Sequence, residues 1–119
     1  MMPRVVIAGI FAVAVVMSPL SSALAEPHAK AEAASSRTVK IVDIAFKPKK
    51  VTIRKGSSVN WRFADGLTFH NVHSIGKHRF HSSRDMKKGT FKVRFARPGT
   101  YRYMCTLHPL AMRGTVVVR

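Results

Sequence analysis

PGTYRYMCTLHPLAM, residues 98–112, contains a turn signal, a strand and a loop in that order. Pro98-Gly99 is typical of a turn. Side chains of a strand alternate between its two faces, so Tyr101, Tyr103 and Cys105 share one face, and the aromatic rings mark that face as the dry one. The segment therefore predicts a strand that ends in an inward-facing sulfur, directly before a loop.

The same period of two recurs in residues 51–54, 59–63 and 91–95, and each segment predicts a strand with one dry face and one wet face. Turn signals separate these segments, and none of them has a helical period. Further strands are predicted at 38–45, with a bulge around Asp43, and at 67–74, 100–105 and 114–118. About seven to eight short strands with frequent turns predict an all-β fold, a Greek-key sandwich of two sheets.

The N-terminal residues have the pattern of a secretory signal peptide. Arg4 supplies a positive charge, Val5 to Met17 is apolar, and Ala23-Leu24-Ala25 places small residues at the cleavage positions. The apolar run is shorter than the roughly 20 residues that a membrane-spanning helix needs. Residues 1–25 are therefore predicted to be removed on export, and the pattern favours a bacterial periplasm.

The remaining chain divides into a lead and one domain. Residues 26–37 are rich in alanine and lack strand periodicity, which predicts a flexible N-terminal lead. Residues 38–119 contain all the predicted strands, and a segment of this length supports one hydrophobic core. We therefore expect a single folded domain at 38–119.

The chain is strongly basic, with 21 Lys and Arg residues against 5 Asp and Glu and a net charge of +16. Such a charge attracts acidic proteins and anionic membrane surfaces. We expect a partner with an acidic docking face, and a weak association with an anionic membrane stays open. Nucleic-acid binding is not expected, because the basic residues are spread over strands and turns and because an exported protein does not meet nucleic acid.

Cys105 is the only cysteine, so it cannot form an internal disulfide. It is either buried as a small apolar side chain or occupied by a ligand, since a free thiol in an oxidising compartment reacts. His108 and Met112 follow in the next loop and add an imidazole and a thioether. Two His, one Cys and a weak axial Met form a blue-copper site, whereas structural zinc prefers four Cys or His ligands. The loop predicts copper and lacks only a second histidine.

Four histidines are candidates for that second imidazole: His70, His73, His78 and His81. His70 is favoured because it directly follows the strand signal of Leu67 to Phe69. The other three are expected to be exposed to solvent, and an auxiliary metal site among them is the alternative.

With these residues in view, the chain resembles the cupredoxins, which are small blue-copper proteins, and in particular amicyanin, pseudoazurin and plastocyanin. The matching segments occur in the family's order and span nearly the whole domain. They are Ala45-Phe46-x-Pro48, Val51-Thr52-Ile53, Val59-Asn60-Trp61, His70-Asn71-Val72, residues 98–109 and Gly114-Thr115-Val116-Val117-Val118. The resemblance implies a cupredoxin-like sandwich with one type 1 copper ion.

The resemblance also implies the ligand set. His70, Cys105 and His108 match the strong equatorial ligands of the family, and Met112 matches the axial one. One spacing differs, because amicyanin-type loops resemble Cys-x2-His-x2-Met while this loop reads Cys-x2-His-x3-Met. The loop is thus one residue longer than that pattern and shorter than the loop of plastocyanin.

Two further roles follow from the resemblance. Asn71 should link the two ligand loops and donate its backbone N–H to the sulfur of Cys105, which tunes the reduction potential. The outer edge of His108, together with Pro109 and Leu110, should form the port through which electrons enter and leave.

No group of residues in the sequence suggests catalysis: there is no His-x-His pair of the kind found in multicopper oxidases and no second cysteine for a dinuclear copper centre. We therefore expect no enzyme but a monomeric periplasmic carrier that passes one electron at a time between redox partner proteins by Cu(II)/Cu(I) cycling. Two alternatives stay open: a periplasmic copper-binding protein for copper delivery or sequestration, and a structural cupredoxin domain.

Overall fold

The computed structural model describes Pro3, Gly9, residues 12–16 and residues 34–119. The predicted cleavage position and most of the lead 26–37 lie outside these residues. Within the described ranges, no helix has the length and the apolar character needed to cross a bilayer.

Eight strands make up the fold of the described residues. They are β1 Ser36–Val42, β2 Ala45–Lys47, β3 Lys50–Ile53, β4 Ser58–Phe63, β5 His73–Ile75, β6 Gly89–Arg94, β7 Gly99–Met104 and β8 Arg113–Val118. One sheet has the order β2-β1-β4-β6 and the other has the order β3-β8-β7-β5. The predicted all-β sandwich of two sheets is confirmed.

The chain crosses repeatedly between the two sheets. β4 lies in the first sheet and is followed by β5 in the second, and β6 in the first sheet is followed by β7 in the second. β1 and β4 pair in parallel, as do β3 and β8, while the other pairs are antiparallel. These crossings give the sandwich its Greek-key connectivity, and each crossing loop closes one end of the core.

The prediction of one bulged strand at 38–45 was wrong. The segment forms two strands, β1 and β2, that pair as a hairpin with Val42 opposite Ala45. Asp43 and Ile44 form the turn between them, with φ angles of 53° and 50°. Two-residue hairpin turns with both φ angles positive match the twist of the strands they connect. β1 also begins at Ser36, before the predicted start of the domain.

The prediction of a strand at 67–74 was also wrong, because β5 covers only His73–Ile75. Before β5 the backbone leaves the sheet, and the N–H of Thr68 donates to the carbonyl of Asp65 at 3.1 Å. His70 then forms an isolated bridge with Met86, with N···O distances of 3.0 and 2.8 Å. Both backbone polar groups of His70 are therefore hydrogen-bonded to Met86, outside the two sheets.

Aromatic side chains fill the space between the sheets. Trp61 and Tyr103 are fully buried, with their rings edge-on at 5.2 Å, and Phe46 contacts Tyr103 at 4.7 Å. Burial raises the pKa of Tyr103 to about 12. Gly114 lies opposite Tyr103 in the register, and a Cβ there would come within 2.2 Å of the tyrosine ring. Only glycine lets that ring lie on the neighbouring strand.

The register of the second sheet brings two loops to one end of the molecule. His73 lies opposite Met104, and Met104 lies opposite Arg113, in antiparallel pairs. The chain therefore enters β5, leaves β7 and enters β8 at the same end of the sandwich. Residues 64–72 form the first ligand loop there, and residues 105–112 form the second ligand loop.

Candidate metal centre

Three of the predicted ligands converge between the two loops. The Nδ1 atom of His70 lies 3.9 Å from the Sγ atom of Cys105, and the Nδ1 atom of His108 lies 3.6 Å from the same sulfur. The two nitrogens and the sulfur all lie within 4.8 Å of one another. Cys105 is fully buried and His70 is 1% exposed, so these donor atoms face one another in a site largely closed to water.

Met112 completes the second ligand loop and is fully buried. The N–H of His108 donates to the carbonyl of Cys105 at 3.2 Å, and the N–H of Met112 donates to the carbonyl of His108 at 2.9 Å. The N–H of Cys105 in turn donates to the carbonyl of Met112 at 3.0 Å. The additional residue of the Cys-x2-His-x3-Met spacing is thus absorbed by a turn closed between residues four apart, and the backbone of Met112 stays beside Cys105.

The donor set fits copper. Two imidazoles, one thiolate and a thioether are soft or borderline ligands, and this combination suits Cu(I) and Cu(II) in a type 1 site. Structural zinc sites are closed by four Cys or His ligands, and among the described residues only His70, Cys105 and His108 form such a group of three or more His, Cys, Asp or Glu side chains. Together with the buried Met112, they form a site of the type 1 copper kind.

Asn71 joins the two ligand loops through both its backbone and its side chain. Its backbone N–H donates to the sulfur of Cys105 at 3.5 Å. Its side-chain oxygen accepts from the N–H of Thr106 at 2.9 Å, while its amide nitrogen donates to the hydroxyl of Thr106 at 2.6 Å and to the carboxylate of Asp85 at 2.8 Å. All the polar atoms of this side chain therefore have partners, and they hold the residue after Cys105 against the first loop.

Sequence reasoning missed Asp65. Its carboxylate lies 2.6 Å from the outer nitrogen, Nε2, of His70. Because His70 and the backbone N–H of Ile44 donate hydrogen bonds to it, the pKa of the Asp65 carboxyl is held below its usual value. The only signal in the sequence was an acidic residue in a turn five positions before a predicted ligand, and that signal does not specify a contact.

The side of the site at His108 lies next to the protein surface. His108 is half-buried, Pro109 is exposed, and Leu110 is 93% exposed. On the neighbouring loop Phe69 is 49% exposed, and the ammonium group of Lys87 lies 4.8 Å from the centre of its ring. Both ligand loops thus carry exposed apolar side chains, and on the first loop a basic residue packs against one of them.

The remaining histidine candidates stay apart from the site. His73, His78 and His81 are exposed, as predicted. In the part of the chain that the structure describes, they form no group of three with other His, Cys, Asp or Glu side chains. The auxiliary metal site therefore receives no support from these residues.

A two-sheet sandwich with this donor set at one end defines the class of type 1 copper proteins, the cupredoxins. A family model described as copper binding proteins of the plastocyanin/azurin family matches residues 33–119. The chain belongs to this family of copper-binding proteins, which confirms the resemblance and the copper cofactor inferred from the sequence.

Amicyanins are prominent among its relatives. The chain is 39% identical over 95 residues to amicyanin-alpha of Methylorubrum extorquens, a match that covers 71% of this chain and 73% of that protein. It is 34% identical over 99 residues to amicyanin of Paracoccus denitrificans, which covers 77% and 72%. The solved structure of a mutant amicyanin in its reduced Cu(I) form superposes with a TM-score of 0.63 at 31% identity, covering 71% of this chain and 82% of that one.

Proposed function

We propose that this chain is a periplasmic type 1 copper protein that carries single electrons between redox partner proteins. The observation that carries the proposal is the convergence of His70, Cys105 and His108, whose donor atoms all lie within 4.8 Å of one another. The similarity to amicyanins and the secretory pattern of residues 1–25 support the electron-carrier role and the periplasmic location.

In this proposal the Nδ1 atoms of His70 and His108 and the sulfur of Cys105 are the strong ligands, and the thioether of Met112 is the weak one. When bound, copper supplies a one-electron Cu(II)/Cu(I) couple. The backbone N–H of Asn71 withdraws electron density from the thiolate. The first ligand loop connects β4 to β5 and the second connects β7 to β8, so strands hold both loops at both ends. We therefore expect the four side chains to move little when the oxidation state changes.

The visible spectrum of the copper-loaded, oxidised protein tests this assignment directly. We expect an intense thiolate-to-copper band in the orange-red region, together with a reversible potential and fast electron self-exchange. A colourless copper complex would contradict the type 1 site. Slow self-exchange combined with rapid transfer of Cu(I) to an apo-protein would instead identify a protein for copper delivery.

The surface around His108 suggests how a partner docks. Leu110 and Pro109 provide an apolar contact beside the half-buried imidazole. Arg113 follows Met112 at the start of β8, and its side chain donates a hydrogen bond of 3.0 Å to the carbonyl of Pro109. Arg113 thus places positive charge beside Pro109, and Lys87 places positive charge beside Phe69 on the first ligand loop. We therefore propose a partner with an acidic rim around an apolar centre.

Charge attraction and apolar contact are separable, because salt screens exposed charges over about 8 Å at physiological ionic strength and leaves apolar contact unscreened. Raising the ionic strength should slow bimolecular electron transfer to an acidic partner with little change in potential. Leu110→Asp should slow it even at low salt. Thr100→Asp is the matched control, since it adds the same charge at the opposite end of β7, about 16 Å from Cys105 at the rise of a strand. Rates that do not respond to salt would contradict the acidic partner.

A further inference from the structure

Asp65 accepts three hydrogen bonds beside the copper site. Its Oδ2 atom accepts from Nε2 of His70 at 2.6 Å and from the backbone N–H of Ile44 at 3.1 Å. Its Oδ1 atom accepts from the backbone N–H of Asp43 at 3.2 Å. The Asp65 side chain is only 18% exposed and that of His70 only 1%. This carboxylate therefore joins the β1–β2 turn to a residue that faces the metal site.

The contact with His70 determines which nitrogen of the ring is free. An ionised carboxylate only accepts hydrogen bonds, so the proton must be on Nε2 of His70. In the neutral ring the lone pair is then on Nδ1, the atom that lies 3.9 Å from the sulfur of Cys105. Asp65 therefore selects the tautomer that can bind a metal on the side of the other ligands.

The turn holds Asp65 in place from the other side. Asp43 and Ile44 have left-handed backbone angles, and the N–H groups of both point at the same carboxylate. The nearby ammonium group of Lys47 is paired with Asp43 at 2.8 Å instead. The β1–β2 hairpin thus fixes the position of Asp65, and Asp65 fixes the orientation of the His70 ring.

We propose that Asp65 is the positioning residue for His70, which sets the tautomer and ring orientation of this ligand and lowers the reduction potential of the site. The proposal rests on the proposed function in that His70 is taken as a copper ligand. A carboxylate on the outer nitrogen makes the imidazole a stronger donor and adds negative charge near the metal. Both effects favour Cu(II), which carries the larger positive charge, over Cu(I).

Two substitutions separate the geometric effect from the charge. Asp65→Asn keeps an oxygen that can accept hydrogen bonds and removes the negative charge, whereas Asp65→Ala removes both. Asp43→Asn is the matched control, because it removes an acidic charge from the same hairpin without touching His70, and Asn tolerates left-handed backbone angles.

The first measurement uses the metal-free protein. Nitrogen NMR of the wild type should show neutral His70 protonated at Nε2, and amide exchange should show protected N–H groups at Asp43 and Ile44. Asp65→Ala should mix the two tautomers and speed the exchange of both amides, while Asp65→Asn should keep most of that protection. Asp43→Asn should leave the His70 tautomer unchanged. His70 protonated at Nδ1 in the wild type would overturn the proposal.

The second measurement uses the copper-loaded protein. Asp65→Ala should weaken Cu(II) binding by about 10- to 100-fold, the usual cost of losing such an outer partner, and Cu(I) binding by less. The reduction potential should therefore rise in both Asp65 variants and stay at the wild-type value in Asp43→Asn. An unchanged potential in Asp65→Asn and Asp65→Ala would overturn the proposal even if both variants were less stable. If the wild type showed no blue band, the proposed function would fail, while the tautomer in the metal-free protein would still decide the role of Asp65.

Discussion

The two ligand loops hold their histidines in opposite ways. In the first ligand loop His70 is 1% exposed, and its outer nitrogen is bound to Asp65 at 2.6 Å. In the second ligand loop His108 is half-buried, and among the described residues no group forms a hydrogen bond with its outer nitrogen. One imidazole is locked into the protein, and the other reaches the surface.

This difference is the basis of the two proposals above, which give separate tasks to the two sides of one site. In the proposal for Asp65, the buried side of His70 sets the geometry and the potential of the metal without contact with solvent. The side of His108 lies among exposed apolar residues such as Leu110, so it can touch a partner without a change in the core. A small domain can therefore tune its potential and its docking surface by changes in different loops.

Cys105→Ser should have the largest effect, because it removes the thiolate that lies between His70 and His108. A serine hydroxyl stays protonated at neutral pH and cannot replace a soft thiolate. We expect complete loss of the blue band and, at most, a weak ordinary copper site in the visible and electron paramagnetic resonance spectra. Met104→Leu, one residue earlier, should keep the colour. A blue Cys105→Ser protein would show that another residue supplies the dominant ligand.

Replacing each histidine by glycine should separate the two loops. His108→Gly leaves a gap that opens to solvent, so added imidazole should enter it and restore the blue band. His70→Gly leaves a closed gap beside Asp65, and the same concentration of imidazole should restore little or no colour. Imidazole titrations followed in the visible spectrum measure this difference. Equal recovery in both variants would mean that the two sides are equally accessible.

Asn71→Ala should weaken the connection between the loops and keep the colour, because the backbone N–H to the sulfur remains. The substitution removes the hydrogen bond to the N–H of Thr106. Because Thr106 is exposed, water can replace the lost partner, and the expected cost is about 0.5–1.5 kcal/mol, the net contribution of one hydrogen bond. Urea unfolding of the metal-free protein measures this loss. Asn60→Ala is the control, since the side-chain oxygen of Asn60 is buried without a hydrogen bond in the described structure. A loss no larger than that of the control would argue against the link.

Met112→Leu should have the smallest effect on stability and a specific effect on the potential. Leucine has nearly the volume of methionine, so the cost should stay below about 1.5 kcal/mol. The blue band should remain, and the potential should rise because the loss of a weak axial donor disfavours Cu(II) more than Cu(I). Cyclic voltammetry measures the shift. If the potential did not move, the thioether of Met112 would not be the axial ligand.

The period of two in the sequence predicted β7, the strand that leads into the second ligand loop, because this pattern is contained within the strand. Alternation alone placed Tyr101, Tyr103 and Cys105 on one face of β7, and all three are buried. One face of each strand is buried, so apolar residues occur at every second position. This alternation can be recognised within a single strand, without knowledge of the strands it pairs with. The second ligand loop was predictable for the same reason, because Cys105, His108 and Met112 lie within eight residues.

The sequence did not predict the support of the first ligand loop. Asp65 is held by the turn at Asp43 and Ile44, which belongs to the β1–β2 hairpin and lies more than 20 positions away in the chain. No spacing rule connects these positions, because the contact exists only after β1 pairs with β4 in the folded sheet. His70 was favoured over the other histidines because it follows the strand signal of Leu67 to Phe69, and the resemblance to cupredoxins then gave it the role of a ligand. The structure has no strand at that signal, since β5 begins only at His73.

The contact between Tyr103 and Gly114 has a consequence for how this protein can be changed by evolution or by engineering. The ring of Tyr103 packs on Gly114. Tyr103 lies two residues before Cys105, and Gly114 lies two residues after Met112, so this contact fixes the distance between the two ends of the second ligand loop. Because both ends of the loop are held, we expect insertions and deletions between them to alter the loop with little effect on the two sheets. We therefore expect that loops of other lengths from related copper proteins can replace the residues between 104 and 113, as long as Tyr103 and Gly114 are kept.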